Sequence, residues 1–374
     1  MKDKNSIQQG YKNSVVGIIP EEWEVKRLGE VCVTFKSGTT ITSQCIRRIG
    51  LYPVYGGNGL RGYADSYTHD GTYILIGRQG ALCGNINFVS GKTYISEHAI
   101  AVQPDETTSI RYLRYKLDFW NLNRFSESSA QPGLSVEKLV RYRLAIPPLA
   151  EQKKIAEILC TWDDAIEKQS KLIEKLELRK RGLMQRLLTG KTRLPGFTEP
   201  WKKIKLGEIC NITTGRLDAN EMVSNGEFPF FTCAKEVYKI NNYSFDTEAL
   251  LVSGNGEYVG YVHYYKGKFN AYQRTYVLDG FICNIFYMYY ALKQYLPKRI
   301  MGTKSNSNTP YIVKDTLFDM DLLLPSGVEQ ELIAEVLTAA DKEIETQRKK
   351  LEALRQQKQG LMQQLLTGKT RVTI

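Results

Sequence analysis

Histidine is scarce. His69, His98 and His263 are the only three in 374 residues, and none stands at helical or finger spacing from a second ligand, which argues against a metal site built on imidazole. Cysteine offers no substitute: Cys32, Cys45, Cys83, Cys160, Cys210, Cys233 and Cys283 form an odd set without a CxxC pair. Neither a disulfide scaffold nor a zinc site is expected, and the thiols read as small buried hydrophobes of a reduced compartment. Long apolar runs are also missing. The longest, Phe281 to Leu292, is interrupted by Asn284 and falls far short of the ~20 residues of a membrane-spanning helix. The opening MKDKNSIQQG has no apolar stretch behind its charges, so no targeting peptide is expected. These absences predict a cytoplasmic chain with neither metal nor membrane contact.

Catalytic signatures are absent as well. No GxSxG, HExxH or paired acidic nuclease motif occurs, and Ile146-Pro147-Pro148-Leu149 has the prolines of an amino-methyltransferase motif without its amide or ring. Gly56-Gly57-Asn58-Gly59 and Gly254-Asn255-Gly256 do not extend to GxGxxG, so they read as turns. Gly190-Lys191-Thr192 and Gly368-Lys369-Thr370 end like a phosphate loop, yet the glycine required five residues earlier is Gln185 or Gln363. The chain is expected to bind no cofactor of its own and to lack a catalytic centre.

What is abundant is positive charge. Lys plus Arg number 51 against 40 Asp plus Glu, a net of +11, and such an excess favours a polyanionic partner. It is lopsided: residues 23–146 hold 15 basic against 10 acidic residues, while 195–324 hold 14 against 13. A hydrophobic fraction of 42% supports a packed core, and the length suits two to three domains.

An internal repeat organises the chain. Trp23, Leu28, Gly29, Glu30 and Cys32 recur 178 residues later as Trp201, Leu206, Gly207, Glu208 and Cys210. Glu151-Gln152, Ile155-Ala156-Glu157, Gly182-Leu183-Met184-Gln185 and Thr189-Gly190-Lys191-Thr192-Arg193 recur at the same displacement. Between these anchors only a skeleton persists, such as Pro53 with Pro229, Gly80 with Gly256, Gly84 with Gly260 and Gly91 with Gly267, all 176 apart. A repeated frame with divergent filling suggests one scaffold used for two targets.

Each repeated block reads as one long helix. Ile155, Leu159, Trp162, Ile166, Gln169, Ile173, Leu176, Lys180, Leu183 and Leu187 alternate in steps of four and three, the seam of a coiled coil. Ile333, Leu337, Ala340, Ile344, Gln347, Leu351, Leu354, Lys358, Leu361 and Leu365 keep step. Gln169/Gln347 and Lys180/Lys358 interrupt both copies alike, as polar residues that set register do. The simplest arrangement pairs the two helices, antiparallel if the halves are equivalent. Residues 150–188 would then span about 58 Å. Ile158, Leu172, Leu178 and Leu188 fall outside the seam and are expected as exposed apolar contacts for further partners.

The variable blocks read as strand-rich, with strands at Tyr73–Ile76, Asn85–Val89 and Leu250–Val252 and helices at Ser109–Phe119 and Phe281–Tyr295. The fold class is α+β: a target-reading domain over 1–146, a long helix over 147–194, a second such domain over 195–324 and a second helix over 325–374. Loop residues suited to base edges and phosphates are Ser37, Thr39, Asn58, Arg61, Arg78, Gln79, His98 and Gln131 in the first block. In the second they are Arg216, Lys235, Asn255, Tyr258, Arg274, Lys304 and Asn306. Arg reads guanine and Asn or Gln reads adenine by paired hydrogen bonds. Tyr63 and Tyr261 beside the glycine turns are further aromatic candidates.

Taken together, Trp-x3-Arg/Lys-Leu-Gly-Glu at the head of each block, Pro147-Pro148-Leu149-Ala150-Glu151-Gln152-Lys153-Lys154-Ile155-Ala156 and Gly182 to Gly190 resemble the specificity subunit of type I restriction-modification enzymes. The second copy departs slightly, with Ser326-Gly327 where the first has Pro148-Leu149. The resemblance spans essentially the whole chain. It implies double-stranded DNA as partner, each variable block reading half of a split, asymmetric site, with helix length setting the gap. It also implies two copies of a methyltransferase subunit that bring S-adenosylmethionine, and it admits ATP- and Mg2+-dependent translocating nuclease subunits. Stand-alone DNA binding, or a coiled-coil adaptor without a methyltransferase partner, is the rival reading from the same residues.

Overall fold

The computed structural model describes residues 9–80, 82–126, 133–302 and 311–373. Contacts divide the chain into two compact units, residues 1–169 with 350–374, and residues 170–349. Each unit therefore draws on both copies of the repeat.

The first unit opens with the hairpin β1 (Tyr11–Ser14) and β2 (Gly17–Pro20), followed by β3 (Glu24–Arg27), β4 (Cys32–Ser37), β5 (Tyr52–Gly56), β6 (Gly59–Ala64), β7 (Thr72–Gly77), β8 (Ile86–Ser90), β9 (Tyr94–Ile95) and β10 (Ala99–Pro104). Then come α1 (Ile110–Phe119), the single turn α2 (Val136–Leu139), β11 (Arg143–Ile146) and the long α3 (Leu149–Leu187). The main sheet has the order β4-β10-β7-β8, all antiparallel, beside a smaller sheet β6-β5-β9 whose β5 and β9 are parallel. β3 pairs with β11, closing the domain next to the start of α3. Ile74, Ile76, Ile100 and Val102 pack with Tyr112, Leu113, Trp23, Ile155, Leu159, Met362, Leu365 and Leu366 in one core.

The second unit contains β12 (Lys202–Lys205), β13 (Asn211–Thr214), β14 (Phe228–Phe231), β15 (Tyr238–Ile240), β16 (Phe245–Ser253), β17 (Val262–Ala271), β18 (Thr275–Asp279), α4 (Ile285–Gly302), α5 (Lys314–Phe318) and β19 (Asp321–Leu324), then α6 (Gly327–Leu366). Its sheet order is β13-β18-β16-β17-β14-β15, and β12 pairs with β19. β13, β18 and β16 repeat the order of β4, β10 and β7, and the parallel pairing of β14 with the end of β17 repeats that of β5 with β9. One topology thus recurs where the sequences have diverged. β7 (TYILIG) and the end of β16 are buried on both faces, which is why they read as continuous apolar runs.

Several expectations are refined. α4 begins at Ile285, not Phe281, because the Asn284 carboxamide accepts from the Tyr287 amide at 3.0 Å and caps the helix. It also runs past Tyr295 and through Pro297 to Gly302. β8 starts at Ile86 rather than Asn85. All seven cysteines are free, but only Cys83 is buried; Cys45 is exposed and the other five are half-buried. Leu188 is wholly buried in the core of the second unit, and Ile158 is half-buried against the core of the first, so neither is an exposed contact. Leu172 and Leu178 are exposed. No helix among the described residues is long and apolar enough to cross a membrane.

The repeated blocks explain themselves chemically. Glu151 and Glu329 begin the two long helices with side chains 0% and 1% exposed. A buried carboxylate is tolerable only when paired and hydrogen-bonded. Glu151 accepts from the Trp23 indole at 3.0 Å and from Arg371 Nε and Nη2 at 2.7 and 2.9 Å. Glu329 accepts from Trp201 at 3.0 Å and from Arg193 Nε and Nη2, each at 2.8 Å. This pairing holds the Arg193 and Arg371 guanidiniums protonated to still higher pH. Gln152 accepts from the Ser109 amide at 2.8 Å and donates to the Pro147 carbonyl at 2.9 Å; Gln330 does the same with Asn284 and Pro325, at 2.9 Å in each case. The glutamines thus tie the start of α1 and α4 to the long helices. Gly190 and Gly368 end the helices at φ +69° and +73°, where an L side chain would be strained.

Along the helices every seam position is buried or half-buried, including Ile155, Leu159, Ile173, Leu176, Leu187, Ile333, Leu337, Ile344 and Leu365, with Trp162, Ile166, Leu183, Leu351, Leu354 and Leu361 among the half-buried. The two lysine interruptions are satisfied. Lys358 reaches Asp163 at 2.6 Å, and Tyr115 donates to the same carboxylate at 2.5 Å. Lys180 bonds Asp341, which also accepts from Tyr290 at 2.8 Å. Each ammonium sits just over 5 Å from the ring centre of that tyrosine (5.2 and 5.3 Å), within cation–π range.

Candidate nucleic-acid interface

The first unit gathers most of its candidate loop residues at one sheet end. Ser37 is the last residue of β4, and Arg78 and Gln79 follow β7; His98 precedes β10. The backbone joins them: the Arg78 amide donates to the His98 carbonyl at 2.9 Å, and the Leu134 amide to the Arg78 carbonyl at 2.9 Å. Side chains extend the chain of contacts. Arg78 Nη1 donates to Ser37 Oγ at 3.1 Å, His98 Nδ1 lies 3.0 Å from Gln79 Oε1, and His98 Nε2 lies 3.2 Å from Glu97.

The β5–β6 turn is pressed into the same place. A Cβ on Gly57 would lie 2.8 Å from the His98 carbonyl oxygen and 2.9 Å from Gly77 Cα, so only glycine permits the approach. Asn58 stands exposed next to it, and Arg61 folds its stem over Gly56. Thr39, bridged to Ser96, completes the rim. Gln131 lies outside the described residues.

The second unit builds the same frame with other side chains. The Gly254 amide donates to the Arg274 carbonyl and the Ile312 amide to the Gly254 carbonyl, both at 2.9 Å. Gly254 therefore stands where Arg78 does, Asn255 where Gln79 does, and Arg274 where His98 does, each displaced by 176 residues. Gln79 and Asn255 even make equivalent isolated bridges, to Gly133 and Tyr311. Arg216 follows Gly215, whose amide reaches Thr275 at 3.2 Å, and Arg216 lines a cavity of about 240 Å³ with Thr213, Thr214, Ser244 and Phe245. Lys235 places its ammonium 4.8 Å from the Tyr258 ring centre. A hydrogen bond to Glu257 keeps the Tyr258 phenol protonated above its usual range. Tyr261 stacks edge-on against His263, whose burial lowers its pKa. Lys304 and Asn306 lie outside the described residues.

Some of what matters here was not singled out from sequence. The Glu151 and Glu329 clamps emerged only as repeated letters, although their invariance between copies was the available signal. Arg47 and Arg48 stand on the loop before β5, outside the glycine turns that mark the other candidates. Among the described residues no group of three or more His, Cys, Asp or Glu is disposed to hold a metal ion.

A family model described as type I restriction modification DNA specificity domain matches twice, over residues 20–178 and 198–356. The specificity subunit of the type I restriction enzyme EcoDI from Escherichia coli is 41% identical over 167 residues, 45% of this chain and 37% of that protein. That of EcoprrI is 39% identical over 159 residues, 41% of this chain and 39% of the relative, so these two matches span under two fifths of either relative. The MjaVIII specificity subunit of Methanocaldococcus jannaschii is 25% identical, covering 95% of this chain and 94% of its own. Among solved structures, the type I restriction-modification S subunit from M. genitalium superposes with a TM-score of 0.64 at 17% identity, covering 92% of this chain and 96% of that one. At that identity the likeness concerns the fold.

Proposed function

This chain belongs to the type I restriction modification DNA specificity family, and from that premise we propose that it is the sequence-reading subunit of a type I restriction-modification complex working in the cytoplasm. Each variable domain, 1–146 and 195–324, reads one half of a split site in double-stranded DNA through the sheet end just described. The observation that carries this reading is the matched frame: identical backbone hydrogen bonds present Arg78, Gln79 and His98 in one unit and Gly254, Asn255 and Arg274 in the other. Equal placement with unequal chemistry is what two different half-sites require, so the target is asymmetric. Phosphate contacts by the surrounding Lys and Arg release counterions, and affinity falls steeply with salt.

The long helices act as an antiparallel coiled-coil spacer. Ion pairs in the second unit support this, since Glu177, Arg179 and Lys180 meet Arg348, Glu343 and Asp341, numbers rising on one helix as they fall on the other. Two methyltransferase subunits dock on the chain and supply S-adenosylmethionine and the methyl transfer. Translocating subunits that use ATP and Mg2+ are further partners. This chain itself performs no catalysis and holds no cofactor.

Methylome sequencing of cells carrying this chain with a neighbouring methyltransferase gene, against cells lacking this chain, tests the reading. Methylated adenines at one split motif that appear only with the chain are expected. An unchanged methylome with the partner expressed refutes it. Exchanging residues 201–324 for another such domain is expected to alter one half-site alone, and a target unchanged by that exchange overturns the modular reading.

A further inference from the structure

The two most exposed large apolar side chains among the described residues of the first unit lie close to arginines in the chain. Ile49 is 86% exposed and Leu51 76%, on the loop before β5, and Leu60 on β6 is 52% exposed. Ile49 and Leu51, two residues apart, leave their apolar side chains in water, where a partner surface would cover them. The loop is held rigidly. Arg47 and Tyr63 exchange two backbone hydrogen bonds of 2.9 Å, and a Cβ on Gly50 would lie 2.8 Å from Tyr63 Cβ. Gly62, at φ +148°, passes under the Arg47 carbonyl. The tip is thus presented on a fixed base rather than on a loose tether.

Charge identifies the partner. Arg47 is paired with Asp65 at 3.0 Å, whereas Arg48 is exposed and makes no ion pair among the described residues. Arg61, one residue from Leu60, is exposed on the same hairpin as Asn58. Apolar side chains with arginines beside them in the chain suit a surface that is anionic at its edge and offers methyl groups within it. Duplex DNA is such a surface, with phosphates flanking the thymine 5-methyl groups of the major groove.

The second unit carries the matching loop with different chemistry. The Val223 amide donates to the Lys239 carbonyl at 2.9 Å, repeating Arg47 to Tyr63 at a displacement of 176, and Gly226 repeats Gly50. Between them stand Ser224 and Asn225 in place of Arg48 and Ile49. The frame is kept and the tip exchanged, as at the sheet end.

We propose, resting on the DNA-reading function above, that residues 46–51 form a second base-reading element in which Ile49 contacts a thymine methyl group and Arg48 a neighbouring phosphate, and that 222–227 is its counterpart in the other half, with Ser224 and Asn225 as a polar tip. The test is selection of random-sequence duplexes by the purified full chain, followed by sequencing, for the wild type, Ile49→Ala, Arg48→Ala and Asn225→Ala. Ile49→Ala is expected to lose a thymine preference by roughly 5- to 150-fold at one position of one half-site, with the other half-site and the salt dependence unchanged. Arg48→Ala is expected to weaken binding evenly across sequences and to lower the salt slope by about one. Asn225→Ala is expected to alter only the opposite half-site. Unchanged melting temperatures for these surface variants exclude misfolding as the cause. A wild-type motif that survives Ile49→Ala intact overturns this inference and leaves the DNA-reading function standing; no enriched motif with the wild type overturns both.

Discussion

Arg371 closes the second copy of the repeat, yet the structure makes it a stabiliser of the first unit. Its guanidinium lies a third exposed and makes two hydrogen bonds to Glu151, which is fully buried. Truncation in Arg371→Ala leaves that carboxylate, among the described residues, with the Trp23 indole as its hydrogen-bond partner at 3.0 Å. Breaking a buried pair from one side costs about 3–5 kcal/mol, because the remaining charge is neither paired nor hydrated. That is a large fraction of the ~5–15 kcal/mol available to a domain. Glu151→Gln is milder, about 1–3 kcal/mol, since Arg371 can still reach water and the amide keeps an acceptor. The double variant is expected to cost less than the two singles together, as residues in direct contact do. Hydrogen exchange read by mass spectrometry on the full chain resolves where the loss falls. In Arg371→Ala, amides of β7 and β10 are expected to exchange roughly 150- to 5,000-fold faster, with those of β16 and β18 far less affected. Arg193→Ala, which strips Glu329, is expected to reverse the pattern. If Arg371→Ala instead loosens β16 and β18 first, or leaves both sheets unchanged, the assignment of these clamps is wrong.

Glycines separate strain from propensity: Gly368→Ala, at φ +73° with Pro20 Cδ 2.5 Å from the added methyl, is expected to lower the melting temperature by several degrees. Gly182→Ala, inside α3 with nothing within 4 Å, is expected to raise it, for a gain of about 0.5–1 kcal/mol; calorimetry showing the same sign for both would refute the reasoning. Lys116 is buried, donates to the Leu366 carbonyl at 2.5 Å, and has its pKa pushed down to about 8 by desolvation. Its folded form sheds a proton before its unfolded form does, so stability relative to Lys116→Met is expected to rise with pH between about 8 and 10.5, by at most about 1.4 kcal/mol per pH unit. Urea unfolding of both proteins at pH 7.5 and pH 10 checks this, and a gap that does not change with pH refutes it. In the helix seam, Lys358→Ala and Asp163→Ala are expected to couple by at least about 0.5 kcal/mol in a double-mutant cycle, and additive losses would show that the 2.6 Å contact is idle.

Local periodicity carried much of the architecture. A step of four and three repeated over 30 residues leaves no other element than a long helix, and α3 and α6 follow that pattern closely. The strands of the variable blocks were legible where both faces are buried, as in β7, because burial forces a continuous apolar run. The edges were less so: Phe281 to Cys283 look helical by composition, but Asn284 offers a better cap than any residue before it. Leu188 looked exposed because it leaves the seam at the helix end, where Tyr295 and the second core in fact cover it.

By itself, the amino-acid sequence determined that there are two copies of one frame, where the long helices lie, and which residue types face inward. Those properties follow from spacing along a single chain. Only the tertiary structure decided which copy completes which. Glu151 and Glu329 are chemically equivalent, as are Arg193 and Arg371, so a repeat cannot say that Arg371 reaches back 220 residues to Glu151 while Arg193 meets Glu329. Nor could side-chain identity reveal that Gln79 corresponds to Asn255 and His98 to Arg274, since the correspondence resides in backbone hydrogen bonds that any residue can make. A repeated sequence is degenerate in its own pairings, and the packing of buried charge and sheet ends in three dimensions removes that degeneracy.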